Sequence, residues 1–464
     1  MLSVLREPTF RRLFTAQAVA LLGTGLATVA LALLAYDLAG ADASAVLGTA
    51  LALKMAAYVA VAPLAGALAG RISRRTLLVS SDLVRASAAL ALPFVSEVWH
   101  VYALIVLLQA ASAAFTPVLQ ATVPEVLPGE RPYTEALSLS RLAHDLESLA
   151  SPALAAALLA LVPYPWLFAG TATGFLASAV LVLSVALPGS RRPVPAGGPV
   201  VGGAGSVARE RLGAGAGFGV RLFLGTPRLR ALLALELAVA AAGALVLVGT
   251  VTLVRDTLGR PEGDVALALG AYGAGSMTVA LLLPRLLDRV DDRRVMLAGA
   301  FALPAVLGAL ALALGLPASA PADGALAWPG LLAAWLLAGA ATSAVLTPAG
   351  RLLRRSADPA DLPAAFAARF SLAHACWLLT YPLAGWLVAR TGPVLPAALL
   401  GGLALLAALA ATRLWPRTDP VALPHAHPEL PADHPHLAGS GAAGRHTHDF
   451  RIDALHRHWP AAAP

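Results

Sequence analysis

The chain has 464 residues, of which 58% are hydrophobic and only 13% charged, with a mean hydropathy of +0.75 and a formal net charge of +7. That balance excludes an ordinary soluble globular protein and points to many membrane spans. One cysteine excludes a disulfide framework, and the basic residues, all arginine except Lys54, lie between apolar runs rather than in a stripe that would bind nucleic acid.

In chain order, twelve runs are long enough to cross about 30 Å of hydrocarbon. They cover roughly 13–36, 46–70, 76–95, 101–123, 136–161, 164–187, 229–254, 265–287, 295–316, 328–350, 364–389 and 394–415. The expected fold is all-α integral membrane, with a six-helix half over 1–187, a Gly-, Pro- and Arg-rich linker over 188–227, a second six-helix half over 228–416, and a polar tail over 417–464. Arg11 and Arg12 precede an apolar run of spanning length, so no cleavable signal peptide is expected. Arginines gather in alternate loops, at Arg71, Arg74 and Arg75, at Arg289, Arg293 and Arg294, and at Arg351, Arg354 and Arg355. By the positive-inside rule those loops and both termini are cytoplasmic, in the plasma (inner) membrane.

The fifth run carries charge. Arg141, His144, Asp145 and Glu147 fall within two turns, where each charge costs roughly 2.5–3.5 kcal/mol at bilayer depth, so they must face protein or water. Arg141 and Asp145 are spaced i, i+4 and can neutralise one another, which leaves His144 and Glu147 together on an adjoining strip. The pattern returns in the eleventh run, where Ser371-Leu-Ala-His374 repeats Arg141-Leu-Ala-His144, Pro382 follows as Pro152 does, and Thr347-Pro348 echoes Thr116-Pro117. A repeat of this length means two related halves with a substrate path where they meet. The candidates for that path are Arg141, His144, Asp145, Glu147, His374, Cys376 and Tyr381, with Glu236 as a proton carrier and Lys54 as the partner of a carboxylate such as Asp37.

The loop after the second run reads Gly66-Ala-Leu-Ala-Gly70-Arg71-Ile-Ser73-Arg74-Arg75, and its counterpart in the second half contains Asp288, Arg289, Arg293 and Arg294. This resembles the G-x-L-a-D-R-x-G-R-R motif of the major facilitator superfamily, with Gly70 where the family has Asp and Ser73 where it has Gly. The resemblance implies alternating access by rocking of the halves, without nucleotide hydrolysis, and a latch at this loop to which Asp82 and Arg85 add charge.

The tail breaks with everything before it. Eight of eleven histidines fall here as four H-x-H pairs, at His425 and His427, His434 and His436, His446 and His448, and His456 and His458. In an extended chain residues two apart point the same way, so each pair can offer two imidazoles to one ion. Ile452, Leu455 and Trp459 have helical spacing, which would gather Asp449, Asp453 and His456 into a mixed site. A twelve-span facilitator with such a tail resembles the nickel-resistance exporters, which implies export of Ni2+, and of Co2+ in some members, by proton antiport.

The expected protein is therefore a monomeric metal-ion exporter in the lipid bilayer. It is not an enzyme, has no resident cofactor and no nucleic-acid partner, and uses protons as coupling ion. The competing reading is an exporter of drugs or siderophores whose tail senses metal or is merely polar.

Overall fold

In hydrocarbon a backbone N–H or C=O has no water to bond, so each apolar run closes its hydrogen bonds internally as a helix. The structure, a computed structural model, describes residues 2–39, 43–68, 72–159, 161–187, 217–261, 263–315, 321–420, 422–427, 435–437, 445–453, 455–456 and 459–460. Among these, twelve helices have 18 residues or more. The first six are α1 (Pro8–Ala39), α2 (Ala43–Leu68), α3 (Arg74–Ala91), α4 (Val98–Val126), α5 (Glu130–Leu159) and α6 (Pro165–Leu183). After a short α7 (Gly217–Gly225) come α8 (Pro227–Val251), α9 (Gly263–Leu287), α10 (Asp292–Gly315) and α11 (Pro321–Leu346). A short α12 (Ala349–Ser356) precedes α13 (Leu362–Thr391) and α14 (Val394–Leu414), and the tail forms strands β1 (Ala422–Ala426) and β2 (Arg445–Asp449).

Ten of the long helices are apolar enough to span a membrane on composition alone; α5 misses that mark because its first half is charged. The tenth expected span is interrupted. Pro348 offers no N–H, and the chain turns at Thr347-Pro348 between α11 and α12, whereas Pro117 in the echoing position stays inside α4. Most of the linker lies outside the described residues, but its end forms α7, which buries Phe218, Leu222 and Phe223 in the second-half core.

Within the first half α1 packs on α6, α3 on α4 and α6, and α2 on α4. Within the second, α9 packs on α11, α10 on α11 and α14, and α8 on α13 and α14. The tightest approach is at α9 and α11, where a Cβ on Gly275 would lie 1.8 Å from the Leu336 oxygen and one on Gly339 1.8 Å from the Tyr272 oxygen. Only glycine lets two backbones meet so closely. The halves touch along two seams, α2 with α13 and α5 with α9.

Ser3, bonded to Glu135, and Arg451 of the tail, paired with Asp358, lie on one arginine-rich face, and there ion pairs bolt the halves together. Arg351 on α12 donates to Glu130 (2.6 Å) and Thr134 (2.8 Å) at the start of α5, while its Nε stands 3.1 Å from the buried Asp292. Arg355 also reaches Asp292 (3.5 Å), Arg354 donates to the Pro128 carbonyl, and Arg131 faces Asp288 at 3.9 Å. The expected latch loop is divided in its roles. Arg71 lies outside the described residues and Gly66 falls in the last turn of α2; Arg74 pairs with Glu125 (2.5 Å) and Arg75 donates to the Leu183 and Val185 carbonyls. Ser73 caps α3 by accepting from the Thr76 N–H (3.1 Å), a use that the family's glycine could not supply. Asp82 and Arg85 pair with one another, and the guanidinium sits between the rings of Phe115 (4.2 Å) and Phe175 (4.4 Å), so this pair ties the first half internally. In the second half Arg293 donates to the Trp415 carbonyl, Arg294 faces Asp291 at 4.0 Å, and Arg289 lines a cavity of about 1070 Å3 between the halves.

Removing Arg351 takes from Glu130 its partner and from the buried Asp292 the nearer of its two arginines; Arg355 remains at 3.5 Å, so the cost stays below the about 3–5 kcal/mol of a buried charge left with no partner. Because those contacts exist only while this face is closed, Arg351→Ala is expected to favour its opening. Spin labels on the exposed positions Arg6→Cys and Arg289→Cys should then report a longer distance population; an unchanged distribution would assign the network to static stability.

Candidate functional site

The two seams hold the polar residues expected on the path. On α5, Arg141 donates from Nε (3.1 Å) and Nη2 (3.0 Å) to Ser276 on α9. At the matching position of the second half, Ser371 on α13 donates to the Val59 carbonyl on α2 (2.5 Å). One turn on, both histidines donate Nδ1–H to the carbonyl four residues back, His144 to Ser140 (2.8 Å) and His374 to Phe370 (2.7 Å). A carbonyl can only accept, so each ring is held as the tautomer whose Nε2 bears the lone pair. The repeat read in the sequence is thus a repeat of contacts.

His374 lies against Phe370 (4.1 Å between ring centres) and edge-on to Tyr58 of α2 (4.7 Å). The Tyr58 hydroxyl donates to Gln109 on α4 (3.0 Å), and Lys54 holds its ammonium 5.7 Å from the Tyr58 ring. Glu147, on α5, packs against α1, where a Cβ on Gly25 would lie 2.9 Å from its carboxylate and 2.0 Å from the Ser151 hydroxyl, so glycine makes the space. Lys54 acts electrostatically on both Glu147 and His374. A base, a carboxylate and an ammonium contributed by α2, α5 and α13 therefore surround one region of the interface.

Other expected residues are placed elsewhere. The Asp145 side chain lies outside the described residues. Asp37 is hydrogen-bonded with Tyr164. Glu236 accepts from Arg369 Nε (2.7 Å), a buried pair within the second half. The Cys376 thiol is buried with Glu236 as its electrostatic neighbour, and Tyr381 stacks on Trp377 (4.9 Å). Tyr58, Gln109 and Arg369 were missed; the available signal was that each is a polar residue inside a spanning run.

The tail forms a second cluster. β1 and β2 pair antiparallel with His425 opposite His446 and Leu423 opposite His448. The pairs His425/His427 and His446/His448 are thus extended, as their spacing requires, while His436 lies in a 3-10 turn. The expected helix near the end does not form in the described residues: Asp453 instead accepts from the Leu455 N–H (2.8 Å) and His456 N–H (2.7 Å), closing a turn that swings His456 back over the strands. His425, His427, His436, His446, His448 and His456 then converge through their Nε2 atoms. Their outer nitrogens are committed: Nδ1–H of His425 donates to the Leu423 carbonyl (2.9 Å), of His448 to the Asp449 carbonyl (2.7 Å), and of His456 to the Asp453 carboxylate (3.0 Å). Asp449 takes part through its backbone with its side chain exposed, and His434 and His458 lie outside the described residues.

Burial and the adjacent rings, His456 foremost, hold His436 down to about 4, and burial lowers His425 as well. Burial alone would raise Asp453, but the hydrogen bonds from His456 bring it down to about 2. Both effects leave neutral imidazoles beside an ionised carboxylate, the state that binds a cation. The cluster is anchored to the second half. Arg228, fully buried, donates to Ser356 (2.7 Å) and Asp419 (3.0 Å); Arg451 pairs with Asp358 (2.5 Å); and Phe450 and Ile452 enter the second-half core.

The family model for the Major Facilitator Superfamily matches residues 13–322 and 233–440. The chain belongs to that superfamily. An uncharacterized MFS-type transporter, YfiS of Bacillus subtilis strain 168, is 29% identical over 124 residues, a match spanning 27% of this chain and 30% of that one. Three solved facilitators share the fold, each covering 88% of this chain. The proton:xylose symporter XylE has a TM-score of 0.64 at 15% identity over 96% of its length. The human organic anion transporter MFSD10 has 0.65 at 14% over 99%, and a bacterial homologue of the iron transporter ferroportin, outward-facing, 0.65 at 13% over 99%. The superfamily consists of transporters, so this chain is a multi-pass membrane transporter and not an enzyme.

Within this facilitator the Glu236–Arg369 pair is expected to serve stability. Arg369→Ala should cost about 3–5 kcal/mol and lower the melting temperature of the solubilised protein, with Glu236→Gln restoring most of the loss in the double variant. Full stability of the single variant would release Glu236 for proton transfer.

Proposed function

We propose that this facilitator exports a divalent transition-metal cation, Ni2+ or Co2+, from the cytoplasm in exchange for protons. The observation that carries the reading is the convergence of six tail imidazoles on the arginine-rich face, which the positive-inside rule puts in the cytoplasm together with both termini. Imidazole nitrogen suits Ni2+ and Co2+, and the tail has no Cys or Met that would favour Cu(I). In this reading the protein works as a monomer in the plasma membrane, its halves cover 1–187 and 228–416, and the tail gathers ions from residue 417 onward. His144, Glu147, Lys54 and His374 line the route. A proton arriving on Glu147 or His374 changes the charge that Lys54 feels and so links protonation to the seam between the halves.

Expelling a divalent ion against an inside-negative potential of 100 mV costs about 4.6 kcal/mol, twice the 2.3 kcal/mol for one charge, and proton entry offsets it. A second reading, export of an organic molecule, is favoured by the rings of Tyr58 and Phe370, which meet at the same seam. Inverted vesicles separate the two. An imposed proton gradient should drive uptake of Ni2+ or Co2+, a protonophore should stop it, and Glu147→Gln or His374→Ala at equal expression should reduce it at least tenfold. Uptake indifferent to gradient and potential, or full uptake by both variants, would overturn the reading; proton-driven movement of an organic cation or siderophore without metal uptake would install the second.

A further inference from the structure

The spacing of the six tail imidazoles contains more than a tendency to bind metal. Six nitrogens held about 2.1 Å from one centre at right angles stand about 3.0 Å apart when adjacent and about 4.2 Å when opposite, with ring centres about 4.6 and 6.5 Å apart. The Nε2 atoms lie 3.0 Å apart for His425–His456, 3.1 Å for His427–His456, 3.2 Å for His427–His436, 3.1 Å for His436–His446 and 3.3 Å for His436–His448. The ring centres of adjacent members lie 4.5–5.4 Å apart all the way round. His425 and His436 stand apart at 6.3 Å while their ligand atoms remain within 4.8 Å of one another, the separations of an opposite pair. Elimination then sets His427 opposite His448 and His446 opposite His456.

We propose that these six imidazoles form a single octahedral centre that holds one resident divalent ion and selects Ni2+, then Co2+, over Zn2+ and Cu2+. The outward Nδ1–H bonds of His425, His448 and His456 turn their lone pairs inward, where they repel unless a cation sits between them. Two overlapping sets of four ligands share His425 and His436, but one ion explains both. A bridge between two ions would need Nδ1 of His425, which the Leu423 carbonyl already holds. Zinc favours four ligands in a tetrahedron and Cu2+ a tetragonal field, whereas among ions content with six equal nitrogens affinity rises from Mn2+ through Fe2+ and Co2+ to Ni2+. Six protein ligands also leave no vacant position, so an ion gathered here is released only when imidazoles let go of it. The centre joins β1, the 3-10 turn, β2 and the Asp453 turn, adding one more link to the pairing of β1 with β2 and to the packing of Phe450 and Ile452 in the second-half core. The ion therefore tightens the tail against Arg228 and Asp358, beside the Arg351 network that closes the same face. This assignment deepens the metal reading without resting on the direction of transport.

The untagged full-length protein in detergent, stripped of metal and titrated with Co2+, tests it. The expected result is one Co2+ per chain with the weak, pale absorption of six-coordination, displacement by an equal concentration of Ni2+ but not of Zn2+, and protection from trypsin at Arg445 and Arg451. His427→Ala with His448→Ala, an opposite pair, should weaken Co2+ binding at least tenfold. Asp453→Asn, which leaves every ligand in place, should weaken it less. Intense four-coordinate bands, two Co2+ per chain, tighter binding of Zn2+ than Ni2+, or no binding would each overturn the centre. Vesicle uptake by the unmutated protein is read separately, so absence of the octahedral signature with uptake present rejects this centre and leaves the export reading intact, and the converse result rejects export alone.

Discussion

Hydrocarbon tolerates neither an unbonded backbone group nor an unpaired charge, and the polar architecture of this facilitator follows from that intolerance. Helices settle the first demand. The second forces every charge in the spans toward a partner: Asp82 and Arg85 between aromatic rings, Glu236 beneath Arg369, and Arg141 across the seam onto Ser276. Where a charge meets a partner in its own half it stiffens that half. Where it meets one in the other half, its energy depends on how the halves are arranged, which is the requirement for alternating access.

The seams show how a duplicated plan is used asymmetrically. Arg141 and Ser371 occupy matching positions and both reach across to the second helix of the opposite half, α9 or α2. The first uses a cation on a hydroxyl, the second a hydroxyl on a carbonyl, so the two crossings differ in strength and in sensitivity to nearby charge. The two histidines keep the same backbone bond, and His374 lies in an aromatic setting made by Tyr58 and Phe370. Symmetry sets the positions, and local substitution sets the chemistry.

On the arginine-rich face two polar assemblies lie side by side. The Arg351 network closes the halves, and the tail cluster is tied to the same elements through Arg228, which reaches Ser356 at the end of α12 as well as Asp419. Arg451 and Asp419 of the tail line the cavity that Arg351 and Asp288 also line. Whatever orders the tail therefore touches the region where the face must part.

The amino-acid sequence by itself determined the spans, because twelve apolar runs in lipid admit little besides helices, and the duplication, because Leu-Ala-His with a following proline recurs in register. It also indicated that neighbouring tail histidines face one way where the chain is extended, as at His446 and His448, since a spacing of two puts both rings on one side. The tertiary structure decided what spacing cannot express. His425 meets His456 across 31 residues only because the Asp453 turn replaces the helix that the apolar spacing suggested. Glu236 is paired rather than poised because Arg369 comes from a helix 133 residues away. The break at Pro348, beside an unbroken helix through Pro117, depends on how the neighbouring backbone is accommodated and not on the proline alone. Periodicity reports which residues share a face of one element, whereas a site is made by the faces of several elements meeting, and that meeting is decided by packing.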